Sequence, residues 1–200
     1  MASNLTRVEH RVDRNKRYER NGHSGAVVWL TGLSDAGKST LAAGLEGRLF
    51  DAGYAAYLLD GDNLRHGLNS DLGFSANARR ENIRRAGEVA ALLADAGLVC
   101  IAAFISPFAQ DRANARVAAG NRPFFEIHVC APLAICELRD PKGLYRRARR
   151  GEIPEFTGID SPYEAPSTPD LRIHTDSLPI EACVDHLLDF VVQRLADAVR

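Results

Sequence analysis

Gly32-Leu33-Ser34-Asp35-Ala36-Gly37-Lys38-Ser39 has the spacing glycine, four residues, glycine-lysine-serine. A turn with that glycine spacing can point successive backbone N–H groups at a phosphate chain, and a helix starting at its end adds a favourable dipole. Lys38 would then reach the outer phosphates, and the Ser39 hydroxyl would bind Mg2+. The flanks suit this reading. Ala26 to Thr31 is an almost unbroken apolar run, as in a strand buried on both faces, and Leu41, Leu45 and Leu49 recur at helical spacing until Gly53. The stretch reads as a nucleotide-binding P-loop.

Phosphoryl transfer asks a protein for positioning and charge neutralisation more than for covalent chemistry. The third apolar run, Leu98 to Ile105, ends in Ser106-Pro107 with no carboxylate to help hold a metal. Asp60-Gly61-Asp62, after the second run, is the substitute, or else only a turn. One carboxylate would hold a metal-bound water while the other accepts the proton of an attacking hydroxyl. Arg65, Arg79 and Asn82 suit an anionic, purine-like acceptor, because arginine pairs bidentately with phosphate or sulfate oxygens. Phe74 and Phe156 are loop aromatics that suit either packing or a flat base. Arg80, Arg84 and Arg85 read as a solvated helix face.

Strands are expected at 26–31, 54–59, 98–105, 124–130 and, as a short edge strand, 171–174. Helices are expected from about 38 to 52, 79 to 96, 109 to 119 and 133 to 138, with a last one carrying Ile180, Val184, Leu187, Leu188, Val191 and Leu195 on one face. Alternating strands and helices predict an α/β chain: a three-layer P-loop NTPase fold with a mainly parallel five-stranded sheet and helices on both faces. In such sheets ligands bind beyond the carboxyl ends of the strands, and the P-loop, Asp60/Asp62 and Ser106 all follow strand ends. Residues 140–169 are rich in arginine, glycine, proline and acids, and include Lys142, Arg146, Arg147, Arg149 and Arg150. So long a polar segment inside a domain reads as a basic lid. Residues 1–24 read as a flexible or partner-packed basic arm before a domain spanning 25–200.

With 200 residues and 46% hydrophobic content, one domain can bury a full core. A net charge of −1 gives no global attraction to a nucleic acid polymer. No run nears the roughly 18 apolar residues of a membrane span, and the first thirty residues hold no apolar leader core. Cys100, Cys130, Cys136 and Cys183 lie far apart without metal-type spacing, so reduced thiols in a cytoplasmic protein are expected.

Taken together, the motifs resemble those of the adenylylsulfate kinase (APS kinase) family. They are the P-loop, Asp60-Gly61-Asp62-Asn63-x-Arg65-His66-Gly67-Leu68, Asp71-Leu72-Gly73-Phe74-Ser75 and Arg79-x-Glu81-Asn82-Ile83-Arg84-Arg85. Phe104-Ile105-Ser106-Pro107, Pro141-Lys142-Gly143-Leu144-Tyr145 and Phe156-Thr157-Gly158-Ile159-Asp160-Ser161-Pro162-Tyr163-Glu164 complete the series, in the family's order from about residue 25 onward. The resemblance implies transfer of the ATP γ-phosphate, with Mg2+, to the 3′-hydroxyl of adenosine 5′-phosphosulfate, giving PAPS and ADP in sulfate assimilation or activation.

By matched position, the resemblance implies an acceptor site of Asp62, Asn63, Arg65, Phe74, Arg79, Asn82, Ile105, Ser106, Lys142, Leu144 and Phe156. Phe74 and Phe156 would sandwich the adenine, and Ser106 matches a serine recorded in the family as a phosphoserine intermediate, although in-line transfer needs no covalent step. ATP would be held by Gly32, Leu33, Ser34, Asp35, Ala36, Gly37, Lys38, Ser39, Thr40 and Arg147, with Thr175, Leu178 and Cys183 bordering its base. Ser39, Asp60 and Asp62 are the expected metal ligands. A homodimer and an ATP sulfurylase partner are further implications.

Two positions depart from the family pattern. Asp35 stands where a small residue is usual, and its carboxylate should repel a polyphosphate unless it turns to solvent or meets a lid arginine. Aspartate tolerates positive φ, so the loop shape can survive. Ala78 replaces an aspartate and removes a partner for a neighbouring arginine. These two support the competing reading of a degenerate kinase domain that binds without turnover, while Lys38, Ser39, Asp62 and Arg65 support an enzyme. A kinase for another small acceptor, such as a nucleotide or a sugar, is a second rival; Phe74, Arg79, Asn82 and Phe156 argue against a sugar, and the lack of an Asn-Lys-x-Asp motif argues against a GTPase.

Overall fold

The computed structural model describes Thr6, Val8 and residues 10–197. The other residues of the basic arm, Arg7 among them, and residues 198–200 lie outside the described residues. Five strands, β1 (Ala26–Thr31), β2 (Ala56–Asp60), β3 (Val99–Ala103), β4 (Phe124–Cys130) and β5 (Leu171–His174), form one sheet in the order β2-β3-β1-β4-β5. Every ladder is parallel. The central strand β1 is buried at all six positions, which explains its unbroken apolar run.

Alternate residues of the strands feed two cores. Val28, Leu30, Ile101, Ile127 and Ile173 face α2 (Lys38–Asp51) and α8 (Ile180–Asp197), packing on Leu41, Leu45, Leu187 and Val191. Val27, Trp29, Cys100 and Ala102 face α4 (Ala76–Asp95) and α5 (Ala109–Ala119), packing on Ile83, Ala86, Ala90 and Ala115. The three layers of the expected fold follow from this period of two. Gly87 lets α4 and α5 approach closely, since a Cβ there would stand 3.1 Å from Ala115. Gly25 is tighter still: a Cβ would lie 2.1 Å from the Ala94 carbonyl oxygen.

The remaining helices are α1 (Arg14–Asn21), α3 (Gly61–Arg65), α6 (Leu133–Arg139) and α7 (Leu144–Arg149). Three differ from the sequence expectation. Within the arm read as flexible, α1 is capped by Asp13, which accepts from the Lys16 N–H, and Asn21 donates to the Gly97 carbonyl at 3.0 Å. Its tie is a tertiary contact 76 residues away, invisible to local pattern. Helix α3 falls where the sequence suggests no helix; the Asp60 carboxylate accepts from the Asp62 and Asn63 N–H groups and starts it. In the lid, Asp140 accepts from the N–H groups of Tyr145 and Arg146 and so organises α7. The third strand stops at Ala103 rather than Ile105, because Phe104 to Pro107 leave the ladder to form the floor of the site.

Candidate active site

The P-loop joins β1 to α2 at the carboxyl edge of the sheet, beside the crevice between β1 and β3, where the chain leaves β1 toward β2 on one side and leaves β3 toward β4 on the other. Gly37 has φ 101 at the helix N-terminus, and Asp35 has φ 57. The loop shape expected to survive an aspartate is therefore present. Gly32 has no room for a side chain, since a Cβ would sit 2.5 Å from the Val129 carbonyl oxygen. The Lys38 ammonium folds back onto the Leu33 carbonyl at 2.6 Å. Burial lowers its pKa to about 8, despite the nearby negative charges of Asp35, Asp60 and Asp62. The Asp35 carboxylate is raised by burial, accepts from the Ser34 hydroxyl at 3.3 Å, and meets no lid arginine; Arg139 takes its backbone carbonyl instead.

A cavity of about 490 Å3 opens beside the loop. Its floor comes from Ala103 to Pro107, one wall from the P-loop and Asp60 to Asp62, another from Phe74, Arg79 and Asn82, and its roof from the lid residues Lys142, Leu144, Arg147 and Phe156. The Ser39 hydroxyl donates to the Asp60 carboxylate at 2.8 Å, and Lys142 donates to Asp62 at 2.5 Å. The Asp62 carboxylate in turn raises the Lys142 pKa. Asp60-Gly61-Asp62 is a helix-starting turn, and both of its carboxylate residues line the cavity. Arg65 bonds the Leu72 and Gly73 carbonyls and lies 4.3 Å over the ring of Phe74, a side chain still 63% exposed. Phe156 packs edge-on against Tyr145, and Arg79 ties the two walls together through the Phe74 carbonyl, the Thr157 hydroxyl and the Glu155 carbonyl. With these partners Arg79 is held without a carboxylate at position 78, where Ala78 instead gives its N–H to the Ser75 cap.

Ser106 has φ 40 and is almost wholly buried. Its hydroxyl accepts from the Trp29 indole N–H at 3.2 Å, and its carbonyl accepts from Arg112 at 2.7 Å. Arg112, itself buried, also binds Glu126 and the Glu164 carbonyl, so it fastens the floor to the return leg of the lid. Ile105 gives its carbonyl to the Thr31 hydroxyl at 2.7 Å.

Not every expected site residue lines this cavity. Asn63 and Thr40 lie outside its lining, with Thr40 exposed on α2. Thr175 sits behind the P-loop, where its hydroxyl donates to the Ala36 carbonyl at 2.7 Å. Leu178 is half exposed, and the Cys183 thiol is sealed in the core between α2 and α8. Gly32, Leu33, Ala36 and Gly37 shape the loop without lining the cavity. Conversely, sequence reasoning assigned no role to Tyr145, whose hydroxyl donates to the Ser34 carbonyl, to Thr157, to Arg112 or to Asn69. Tyr145 and Thr157 lie inside the family's motifs; Arg112 and Asn69 carry no local signal. Among the described residues no helix is long and apolar enough to cross a membrane, and no group of three His, Cys, Asp or Glu side chains gathers as a metal cluster.

The family model for adenylylsulphate kinase matches residues 24–174. An adenylyl-sulfate kinase of Geotalea uraniireducens is 58% identical over 183 residues, covering 92% of this chain and 88% of its own. An APS kinase of Mycobacterium tuberculosis, solved in complex with AMPPNP and APS, superposes with a TM-score of 0.81 at 51% identity, covering 84% of this chain and 98% of that one. A hexameric APS kinase of Thiobacillus denitrificans gives a TM-score of 0.67 at 32% identity, covering 90% of this chain and 32% of that longer one.

Proposed function

This chain belongs to the adenylylsulphate kinase family, and from that premise we propose which of its residues carry the reaction. The enzyme transfers the γ-phosphate of ATP to the 3′-hydroxyl of adenosine 5′-phosphosulfate and yields PAPS and ADP. One observation carries the assignment of residues: a P-loop lysine, two carboxylates, two aromatic rings and a basic lid share a single cavity.

On ATP binding, Lys38 exchanges the Leu33 carbonyl for the outer phosphates, while the loop N–H groups and the α2 terminus hold the chain. Hard oxygen donors fit Mg2+, which takes one or two carboxylates plus phosphates and keeps several waters. Ser39 and Asp60 would hold it with Asp62 nearby, and it would neutralise charge on the β- and γ-phosphates. Asp62 accepts the proton of the attacking 3′-hydroxyl, a role that requires Lys142 to leave it for the incoming phosphates. The O–P bond to the acceptor forms as the bond to the ADP oxygen breaks, and the proton passes to Asp62. Phe74 and Phe156 sandwich the acceptor adenine, with Arg65 and Arg79 on its phosphosulfate. Ser106, with its hydroxyl already occupied by Trp29, shapes the floor beneath the acceptor. Arg147 and the other lid arginines exclude water, which protects ATP from hydrolysis.

The same reading includes a homodimer, an ATP sulfurylase as the supplier of the acceptor, and a cytoplasmic setting, the last supported by four free cysteines. The test is ADP release from MgATP with and without adenosine 5′-phosphosulfate, with chromatographic detection of PAPS. Acceptor-dependent ADP and PAPS in equal amounts are expected, falling about a hundredfold or more in Asp62→Asn. An Asp62→Asn enzyme with undiminished turnover would remove Asp62 as the base.

A further inference from the structure

Asn69 lies in the loop between α3 and α4, wholly buried at 0% exposure. Its backbone is fixed on both sides: the N–H donates to the Leu64 carbonyl at 2.9 Å, and its own carbonyl accepts from Leu72 at 3.1 Å. Among the described residues its side chain has one partner: the Asn69 Nδ2 donates to the Asn82 Oδ1 at 2.9 Å, and the Asn69 Oδ1 has none. Asn82, three residues after Arg79 on α4, is buried and lines the cavity.

The polarity of this pair has a physical reason. One carboxamide must donate and the other accept. In the observed arrangement the Asn69 Oδ1 and one of its two Nδ2 hydrogens go without a partner among the described residues. Reversed, the Asn69 NH2 group would be buried with two N–H donors and no acceptor, and orphaned donors are the rarer and costlier defect. The fold therefore favours the orientation in which the Asn82 oxygen is taken by Asn69 and the Asn82 NH2 is left for the cavity.

We propose that Asn69 is a specificity-setting positioning residue, holding the Asn82 carboxamide so that its NH2 meets a hydrogen-bond-accepting atom on the nucleotide that receives the phosphoryl group. This rests on the reading of the cavity as the acceptor site. An Asn82 free to rotate would offer donor and acceptor alternately, and an acceptor nucleotide needing a donor would bind less well. Asn69 touches neither substrate, so its effect passes entirely through Asn82. ATP, held by the loop on the opposite wall, should not sense it.

The experiment is a double-mutant cycle of Asn69→Leu, Asn82→Ala and the pair, with KM for adenosine 5′-phosphosulfate, KM for ATP, kcat and thermal unfolding measured for each. Leucine matches the volume and deletes the donor; Asn69→Ala replaces it should the leucine variant not fold. Asn69→Leu should raise the acceptor KM about tenfold, the worth of one well-oriented hydrogen bond, with ATP KM and kcat little changed. In the Asn82→Ala background it should add nothing. An equal rise in both backgrounds would mark Asn69 as a merely structural residue and overturn the proposal. So would an unchanged acceptor KM in Asn69→Leu beside a raised one in Asn82→Ala. An unchanged KM in Asn82→Ala would instead remove the acceptor-site reading of Asn82, and the proposal with it.

Discussion

Lys38 is buried against the Leu33 carbonyl, and burial brings its pKa from 10.5 to about 8. That difference amounts to about 3 kcal/mol against the charged form in the free enzyme. A polyphosphate laid against the loop supplies opposite charge at contact distance and favours the charged form again. Binding of ATP must then be coupled to proton uptake above pH 8. The sign follows from linkage: the bound state holds a proton that the free state has begun to lose, so affinity falls as pH rises. About half a proton should be taken up per ATP at pH 8, about nine-tenths at pH 9, and almost none at pH 6.5. The dissociation constant should rise about tenfold per pH unit above 8. The last ionisation of a phosphate, near pH 6, is complete in this range and does not blur the signal. Titration calorimetry at pH 9 in two buffers of different ionisation heats reads the uptake directly. Lys38→Arg should abolish the pH dependence, because its guanidinium stays charged. A dissociation constant flat from pH 7 to 9.5 in the unsubstituted enzyme would refute the reasoning.

Other outcomes follow from the same geometry. Asp35→Gly removes a half-buried carboxylate and suits φ 57, so ATP should bind about three- to tenfold more tightly; unchanged affinity in equilibrium titration would show that the carboxylate does not repel the phosphates. His128, held down to about 4 by burial and then by Arg172 and Arg112, stays neutral where the unfolded chain takes up a proton. Stability should fall by about 1–2 kcal/mol between pH 6.5 and 4, allowing for its partial exposure, and His128→Asn should flatten that slope in urea titrations. Gly25→Ala would drive a Cβ into the Ala94 carbonyl, costing about 3 kcal/mol and lowering Tm by about 6–12 °C. Gly47→Ala, on the open side of α2, should raise stability by about 0.5–1 kcal/mol in the same thermal scans.

Much of this molecule is determined by local pattern. The P-loop spacing, the apolar run of β1 and the helical recurrence of Leu41, Leu45 and Leu49 each follow from rules that act within ten residues, and the structure carries all three. The alternation of apolar runs with helical patterns likewise implies a parallel sheet between two helical layers, so the fold class was legible. The motif series also carried the family, since its residues are spaced along the chain in a fixed order. Tertiary structure decided what depends on neighbours distant in sequence. Helix α1 rests on Gly97, Arg112 binds Ser106 and Glu164, and Lys142 reaches across 80 residues to Asp62. Nothing in the local sequence distinguishes Arg112 from the exposed arginines of α4, or Asn69 from any polar loop residue. A hydrogen bond is directional and short, so its partner is specified only when the chain has folded; hydrophobic periodicity is neither, and is written in the sequence from the start.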